Sequence, residues 1–377
     1  MKIGFMANYF YPATGGMEEL TFGIAKELAK KGHEVHVFTS DRKGGKVFSK
    51  DETVDGVQIH RSRSFLNYKY YLNFNPGIAF KHLGYKLDVL HVQSIGFIFQ
   101  DLGVLLRRLF TKTKLVNTPH GPFMALEKYP WWQALLRFLY VTIEYPVNML
   151  YHGSVQVNPS QYRWMEKYGF CKQGIKFIPN SIPESIFSDV NEKRFFNLKR
   201  KLVIGYIGRV QKYKGLRQIV EVLPFLVKVD PSIVFLVMGG EVDGEYAKLR
   251  SLAKELKVEK HLILAGRVSD SEKLAGLDAT DIFVLPSEWE AFGIVLIEAM
   301  ARGCALVSTR TEGGSFVVGA DEGFLFDYRN LDELGKVMLR LINDKKLVDK
   351  MKEHNSVKAK EYLVSNVVTE FEKFYRS

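Results

Sequence analysis

Short apolar runs alternate along the chain with stretches in which apolar residues recur every three or four positions. KIGFMA, at residues 2–7, reads as a buried strand, and YPATGG as the loop after it. Leu20, Ile24, Leu28 and Ala29 then fall on one face of a helix over residues 18–31, which Gly32 ends, and EVHVFTS is the next strand. Apolar runs at 89–92, 115–117 and 155–158 continue the strand series, with helical stretches between them. The pattern restarts after residue 200. LVIGYIG, IVFLVMGG, LILAG, IFVLP and ALVST are strand-like, and helices are expected over 216–229, 246–256, 294–302 and 332–343. Strands separated by helices predict parallel, doubly wound sheets, the α/β class.

Two such series predict two domains. FIPNSIPESIF and the charged run 192–201 show no periodicity, so a linker is placed at 181–200. It separates a first Rossmann-like domain at 1–180 from a second at 201–357, and an amphipathic helix over about 358–377 closes the chain. At 377 residues the chain exceeds what one core usually fills, which agrees with this division. Sheets of this kind bind ligands beyond the carboxyl ends of their strands, so two of them imply a deep cleft.

Composition adds little until charge is considered. A chain 46% hydrophobic and 25% charged is ordinary for a globular protein. The apolar start is too short for a signal-peptide core, and no stretch approaches the roughly 18 apolar residues that span a bilayer. The nearest, 135–150, is interrupted by Arg137, Glu144 and Pro146. Cys171 and Cys304 cannot form a disulfide framework. A reducing cytoplasm fits, with peripheral attachment at the inner face of a membrane left open. The net charge of +11 is uneven: residues 1–180 carry 23 Lys and Arg against 13 Asp and Glu, and the remainder 30 against 29. The first half is therefore expected to meet something anionic.

Candidate chemistry lies in loops at strand ends. GRVQKYKG follows the first strand of the second series and sets Arg209 and Lys214 five positions apart. Fixed cations in a low-dielectric site stabilise the charge that grows on a leaving diphosphate, although a solvated basic loop has the same composition. EAFGIVLIE is the sharper signal. Glu290 precedes a helix expected to begin near Phe292, with Gly293 in its first turn and Ile294 following. The glycine lets backbone N–H groups approach a phosphate at the helix amino end. Glu290 is expected to meet sugar hydroxyls, and Glu298, about two turns in, a ribose. The paired carboxylates of a retaining hydrolase must face one bond about 5 Å apart, which a loop Glu and a helical Glu do not suit. Gly15 and Gly16, between the first strand and first helix, give either a tight turn or a backbone approach to a diphosphate; they are not a dinucleotide fingerprint. His120, in NTPHGP at another strand end, suits a hydrogen bond to a sugar hydroxyl or proton transfer. No DxD occurs, so neither a metal nor a cofactor beyond the nucleotide is expected.

Taken together, these segments resemble the retaining glycosyltransferases of family four, which have the GT-B architecture. The resemblance rests on GGMEELTFGIAKELAKKGHEVHVFTS, TPHGP, the FIPNS linker, IGRVQKYKG, LAGRVSDSEK, PSEWEAFGIVLIEAMARG and the closing helix, in that order. It implies that Arg209 and Lys214 bind the donor phosphates. Glu290 and the backbone of Phe292, Gly293 and Ile294 would hold the sugar and diphosphate, and Glu298 the ribose. It further places Gly16, beside Gly15, near the donor, His120 near the transferred sugar, and Arg267 and Val268 beside the base. The last helix would pack back on the first domain. Two departures stand out: Asn180-Ser181-Ile182-Pro183 replaces the usual Asn-Gly-acid hinge, and EGGSFVVG lacks the glutamate often found after its glycine pair.

The resemblance implies transfer from a UDP-, GDP- or ADP-sugar to a glycolipid, lipid-linked or saccharide acceptor, independent of metal. The stretches 61–74 and 123–150 mix aromatics with Arg and Lys, as do contacts with anionic membranes, and equally a core that includes Trp131 and Trp132. No nucleic-acid motif accompanies the basic half, so no nucleic acid is expected. A sugar-nucleotide epimerase and a non-catalytic nucleotide-sugar binder at the membrane are the alternatives.

Overall fold

The computed structural model describes residues 1–13, 15–43, 45–49, 51–68, 72–120, 131–170, 174–192, 194–195, 197–198 and 201–377, without the side chains of 67, 68, 72, 131–134, 136 and 137. Cys171 and the segment 121–130 lie outside this set, as do the side chains of Trp131 and Trp132. The chain divides into two compact units, Met1–Ser181 with Val364–Ser377, and Ile182–Leu363.

The first unit begins β1 (Lys2–Met6), α1 (Gly16–Lys30), β2 (Glu34–Ser40), the hairpin β3 (Arg42–Lys43) and β4 (Lys46–Val47), β5 (Asp51–Val54) and β6 (Val57–Ser62). After a second hairpin, β7 (Leu66–Tyr68) and β8 (Leu72–Phe74), come α2 (Ile78–Lys81), β9 (Val89–Gln93), α3 (Ile98–Phe110) and β10 (Lys114–Thr118). It continues with α4 (Trp131–Asn148), β11 (Gly153–Gln156), α5 (Tyr162–Lys167) and β12 (Ile175–Phe177). Eight strands form one sheet in the order β12-β11-β10-β9-β1-β2-β6-β5, parallel except for β5 against β6. The central strands are buried almost end to end, as expected where helices cover both faces.

The second unit runs β13 (Val203–Ile207), α6 (Leu216–Val229), β14 (Val234–Met238), α7 (Glu245–Glu255), β15 (Leu262–Gly266), α8 (Asp270–Asp278) and β16 (Ile282–Leu285). It ends with α9 (Ile294–Ala301), β17 (Ala305–Thr309), α10 (Glu312–Val317), β18 (Gly323–Phe326), α11 (Leu331–Asn343) and α12 (Lys345–Lys358). Its six parallel strands are ordered β15-β14-β13-β16-β17-β18. Both sheets reverse direction of growth once, between β1 and β9 in the first and between β13 and β16 in the second. At such a switch the two flanking loops diverge and leave a crevice beyond the strand ends.

Of the stretch 181–200 read as linker, the described residues from Ile182 on belong to the second unit. The Ile182 amide donates to Tyr362 O at 2.8 Å, Ile186, Phe195 and Leu198 are buried, and Arg302 Nη1 donates to the Ile186 carbonyl at 2.8 Å. The final helix, α13 (Val364–Arg376), joins the first unit. Glu372 accepts from Lys31 Nζ and His33 Nε2, each at 2.7 Å, and the Tyr375 hydroxyl lies 2.7 Å from Nδ1 of the buried His91.

Candidate active site

The second unit assembles its polar residues at the switch point. After β13 the chain turns through Lys212–Lys214 and reaches Gly215 in the left-handed region, φ 68°. A Cβ on Gly215 would stand 2.0 Å from the Pro286 carbonyl oxygen, so only glycine lets this loop touch the end of β16. Gln218 fixes the contact, its Nε2 donating to Gly215 O at 3.2 Å and Pro286 O at 3.0 Å. The Glu288 amide donates to Tyr213 O at 2.7 Å, tying the two loops again.

Between these loops Lys214 Nζ donates to Glu290 Oε1 at 2.5 Å, and Ser287 Oγ donates to the same oxygen at 2.7 Å. Both members of the ion pair are largely shielded, with side chains 15% and 13% exposed. Burial by itself would lower the Lys214 pKa; the adjacent Glu290 carboxylate and Tyr213 outweigh it and hold the ammonium above its ordinary value. Lys214 is therefore charged at neutral pH and already neutralised by its partner. Arg209 differs. Its backbone carbonyl accepts the Tyr206 hydroxyl at 2.9 Å, while its side chain is exposed and forms no ion pair among the described residues. The two cations are thus unequal: one is bound to a carboxylate, the other is open to an anion.

Helix α9 begins at Ile294, where the expected 294–302 helix starts and two residues beyond Phe292, so Gly293 lies before its first turn and not in it. Gly293 precedes it in the left-handed region, φ 80°, and gives no side-chain cap, so the first amides of the helix have no side-chain acceptor there. The Phe292 side chain belongs to the core, 2% exposed and against Phe316 and Tyr362, which leaves only its backbone for a ligand. Glu298 is the fifth helical residue, little more than one turn in rather than two, and is buried. Lys273 on α8 donates to its Oε1 at 2.9 Å. A capping box, Ser269 with Glu272, starts α8 and sets the angle at which Lys273 projects. Arg267, just beyond β15, is exposed with its Nε 2.8 Å from where a Cβ on Gly240 would stand; Val268 beside it is half-buried. Lys273, Ser287 and Gln218 were not singled out from the sequence; LAGRVSDSEK contained the first, but nothing in its spacing pointed to Glu298.

Gly15, Gly16 and His120 belong to the first unit. Gly16 opens α1 and Gly15 precedes it; a Cβ on Gly15 would meet Glu18 Oε2 at 2.2 Å, and Glu18 is itself buried and paired with Lys43 at 2.5 Å. His120 has φ 54°, is half-buried, and its Nε2 lies 2.6 Å from Gln93 Oε1. With the amide oxygen as acceptor, Nε2 carries the hydrogen and Nδ1 presents a lone pair. Burial pushes the imidazole down to about 4, so His120 is neutral at physiological pH. That suits a hydrogen bond to a hydroxyl and not the donation of a proton at neutrality. Among the described residues no three His, Cys, Asp or Glu are placed to hold a metal ion.

Residues 14–185 match the family described as Glycosyltransferase Family 4, and residues 189–357 match Glycosyl transferases group 1. The chain belongs to the family 4 glycosyltransferases. This glycosyltransferase is 24% identical to N-acetyl-alpha-D-glucosaminyl L-malate synthase of Bacillus anthracis, over 100% of its own length and 96% of that protein. It is 26% identical to phosphatidyl-myo-inositol mannosyltransferase of Mycolicibacterium smegmatis, over 92% and 86%. Among solved structures, Anabaena HepE in complex with UDP and glucose superposes with a TM-score of 0.77 at 16% identity, covering 99% of this chain and 98% of that one. The fold is therefore GT-B, with two Rossmann-like units.

Proposed function

We propose that this enzyme transfers a sugar from a nucleotide-diphosphate sugar to a lipid-linked or saccharide acceptor, with retention at the anomeric carbon and without a metal ion. The observation that carries the donor half is the Lys214–Glu290 pair at the β13/β16 switch point, next to the α9 amino end. The α9 amides and the open Arg209 guanidinium receive the diphosphate, and Lys214 follows as charge grows on the leaving phosphate. Glu290 aligns the sugar, Glu298 the ribose, and the backbone about Arg267 and Val268 the base. Gly15 and Gly16 lend backbone to the donor, and His120 accepts a hydrogen bond from a hydroxyl near the transferred sugar. Retention without a protein nucleophile implies same-face attack, with the leaving phosphate taking the acceptor's proton.

HepE, solved with UDP and glucose, supports a nucleoside-diphosphate donor. Of the two relatives, one is by its name a synthase of N-acetyl-alpha-D-glucosaminyl L-malate and the other a phosphatidyl-myo-inositol mannosyltransferase. The lipid reading gains from α4, whose outer face carries Leu135, Phe138, Leu139, Ile143 and Tyr145, all exposed. No described helix is long and apolar enough to cross a membrane, so the proposed contact is peripheral.

The test is a thermal-shift panel of UDP, GDP and ADP with their sugars. The cognate nucleotide at a hundred times its Kd stabilises the fold by roughly 2.7 kcal/mol. No stabilisation by any of them would remove the donor site.

A further inference from the structure

The first unit contains a cluster of ionisable groups that the proposed chemistry leaves unused. Asp101, in the first turn of α3, and Glu144, on α4, hydrogen-bond to each other through their carboxyls. Glu144 is 3% exposed, and apart from Asp101 its Oε2 finds no N–H or O–H donor among the described residues. Around them are Tyr140, Tyr151 and Tyr168, packed with Val104, Trp164 and Met165 in one core. Among the described residues the titratable groups that bear on the pair are these phenols, and no cation does; burial raises those of Tyr140 and Tyr151, which stay neutral. Two carboxyls bonded to each other in such surroundings must share a proton. Burial pushes Asp101 well above the usual carboxylate range and Glu144 to about 7.

The pair is attached to the loop between β9 and α3. Glu144 accepts the Gly96 amide. Gly96 has φ 83°, and the Tyr140 hydroxyl lies 1.9 Å from where a Cβ on Gly96 would stand, so no side chain fits there. The Ser94 amide donates to Thr118 O at 2.8 Å, and Asn117 Nδ2 donates to Ser94 O at 2.9 Å. Gln93, the next residue back, holds His120 at 2.6 Å.

We propose that Asp101 and Glu144 form a proton-sharing latch that clamps α4 onto the β9–α3 loop and so keeps Gln93 and His120 in position, and that loss of the shared proton releases the loop. They are positioning residues, and the consequence for catalysis rests on the reading of His120 given above. Each acid is favoured protonated in the fold, so the latch is closed at mildly acidic pH and opens as pH rises through neutrality.

Glu144→Gln and Asp101→Asn each replace the shared proton with an amide that donates the same hydrogen bond at any pH. In the full chain with 15N-labelled histidine, the protection of His120 Nε2–H reads the latch without substrate. The unsubstituted protein is expected to lose protection about tenfold between pH of about 6 and about 9, and both amide variants to keep it. An E144Q chain that loses protection in step with the unsubstituted one overturns the latch, as does unsubstituted protein protected at both pH values. Should both variants fail to fold, carboxyl 13C titration of the unsubstituted chain decides. A carboxyl titrating near neutrality supports the latch, and none doing so overturns it. With donor and acceptor in hand, kcat should fall at alkaline pH at unchanged donor KM, and not in E144Q. Complete inactivity alongside intact His120 protection behaviour refutes the transfer reading and leaves the latch standing.

Discussion

Lys273 on α8 holds the Glu298 carboxylate on α9 at 2.9 Å, joining two helices that follow different strands of the second sheet. If Glu298 receives the ribose hydroxyls, Lys273 fixes which oxygen faces them. Lys273→Met should raise the donor KM roughly tenfold with little change in kcat, because an interaction equal in ground and transition states is lost. Steady-state kinetics on Lys273→Met, Glu298→Gln and the double variant provide the check. Additive losses would show that the two residues act separately.

Lys214 should behave differently. If Lys214 acts as proposed on the leaving phosphate, Lys214→Ala removes that charge and kcat should drop on the order of 10²–10³-fold. It also leaves Glu290 shielded and without its cation, for about 3 kcal/mol of lost stability. Glu290→Gln in the same background should restore much of the stability and none of the rate. Calorimetry beside kinetics separates the two effects, and a rate near that of the parent would make the loop a surface feature.

What the sequence made legible follows from the range of each interaction. The helix expected over 216–229 is α6 (Leu216–Val229), and EVHVFTS is β2 (Glu34–Ser40), because apolar periodicity is local and survives folding. The antiparallel β5–β6 edge was missed although it carries a readable signal. Asp55 and Gly56 both have positive φ, 50° and 81°, the two-residue hairpin turn that an Asp-Gly pair favours. Arg209, Lys214 and Glu290 could be placed at strand ends by spacing alone. That Lys214 is bound to Glu290, 76 residues away, and Glu298 to Lys273 is tertiary information with no periodic trace. For the same reason the two cations looked equivalent in the sequence and are not.

The first unit should be acid-labile. Burial lowers His60, His82 and His120 to about 4 and His91 to about 3, with His36 adding to the effect at His60, Arg107 at His82 and His120 at His91. Each is folded in its neutral form, whereas the unfolded chain takes up a proton near pH 6.5. Stability that is full above about 6.5 is therefore lost as pH falls toward 4. Asp101 and Glu144 act in the opposite sense over part of this window, but they are two groups against four. The melting temperature should fall between pH 6.5 and 4, and His82→Leu should reduce the slope by up to one proton. An unchanged slope in that variant would mean His82 stays neutral in neither state or titrates alike in both.

The outer face of α4 leads to the last expectation. Leu135, Phe138, Leu139 and Ile143 are 54%, 67%, 50% and 65% exposed, and the opposite face of the same helix carries Tyr140 and Glu144 inward. A helix apolar on its outward side needs a partner, and the excess of ten positive charges in residues 1–180 favours an anionic one. Anionic vesicles should therefore cosediment the protein in a salt-sensitive manner. Phe138→Asp should weaken that binding about tenfold or more, since it both removes buried apolar area and adds a repelled charge. Transfer to a soluble acceptor should be unaffected by the same substitution. Equal binding to neutral and anionic vesicles would remove the electrostatic part of the argument, and no vesicle binding, or binding indifferent to Phe138→Asp, would take this face away from the membrane.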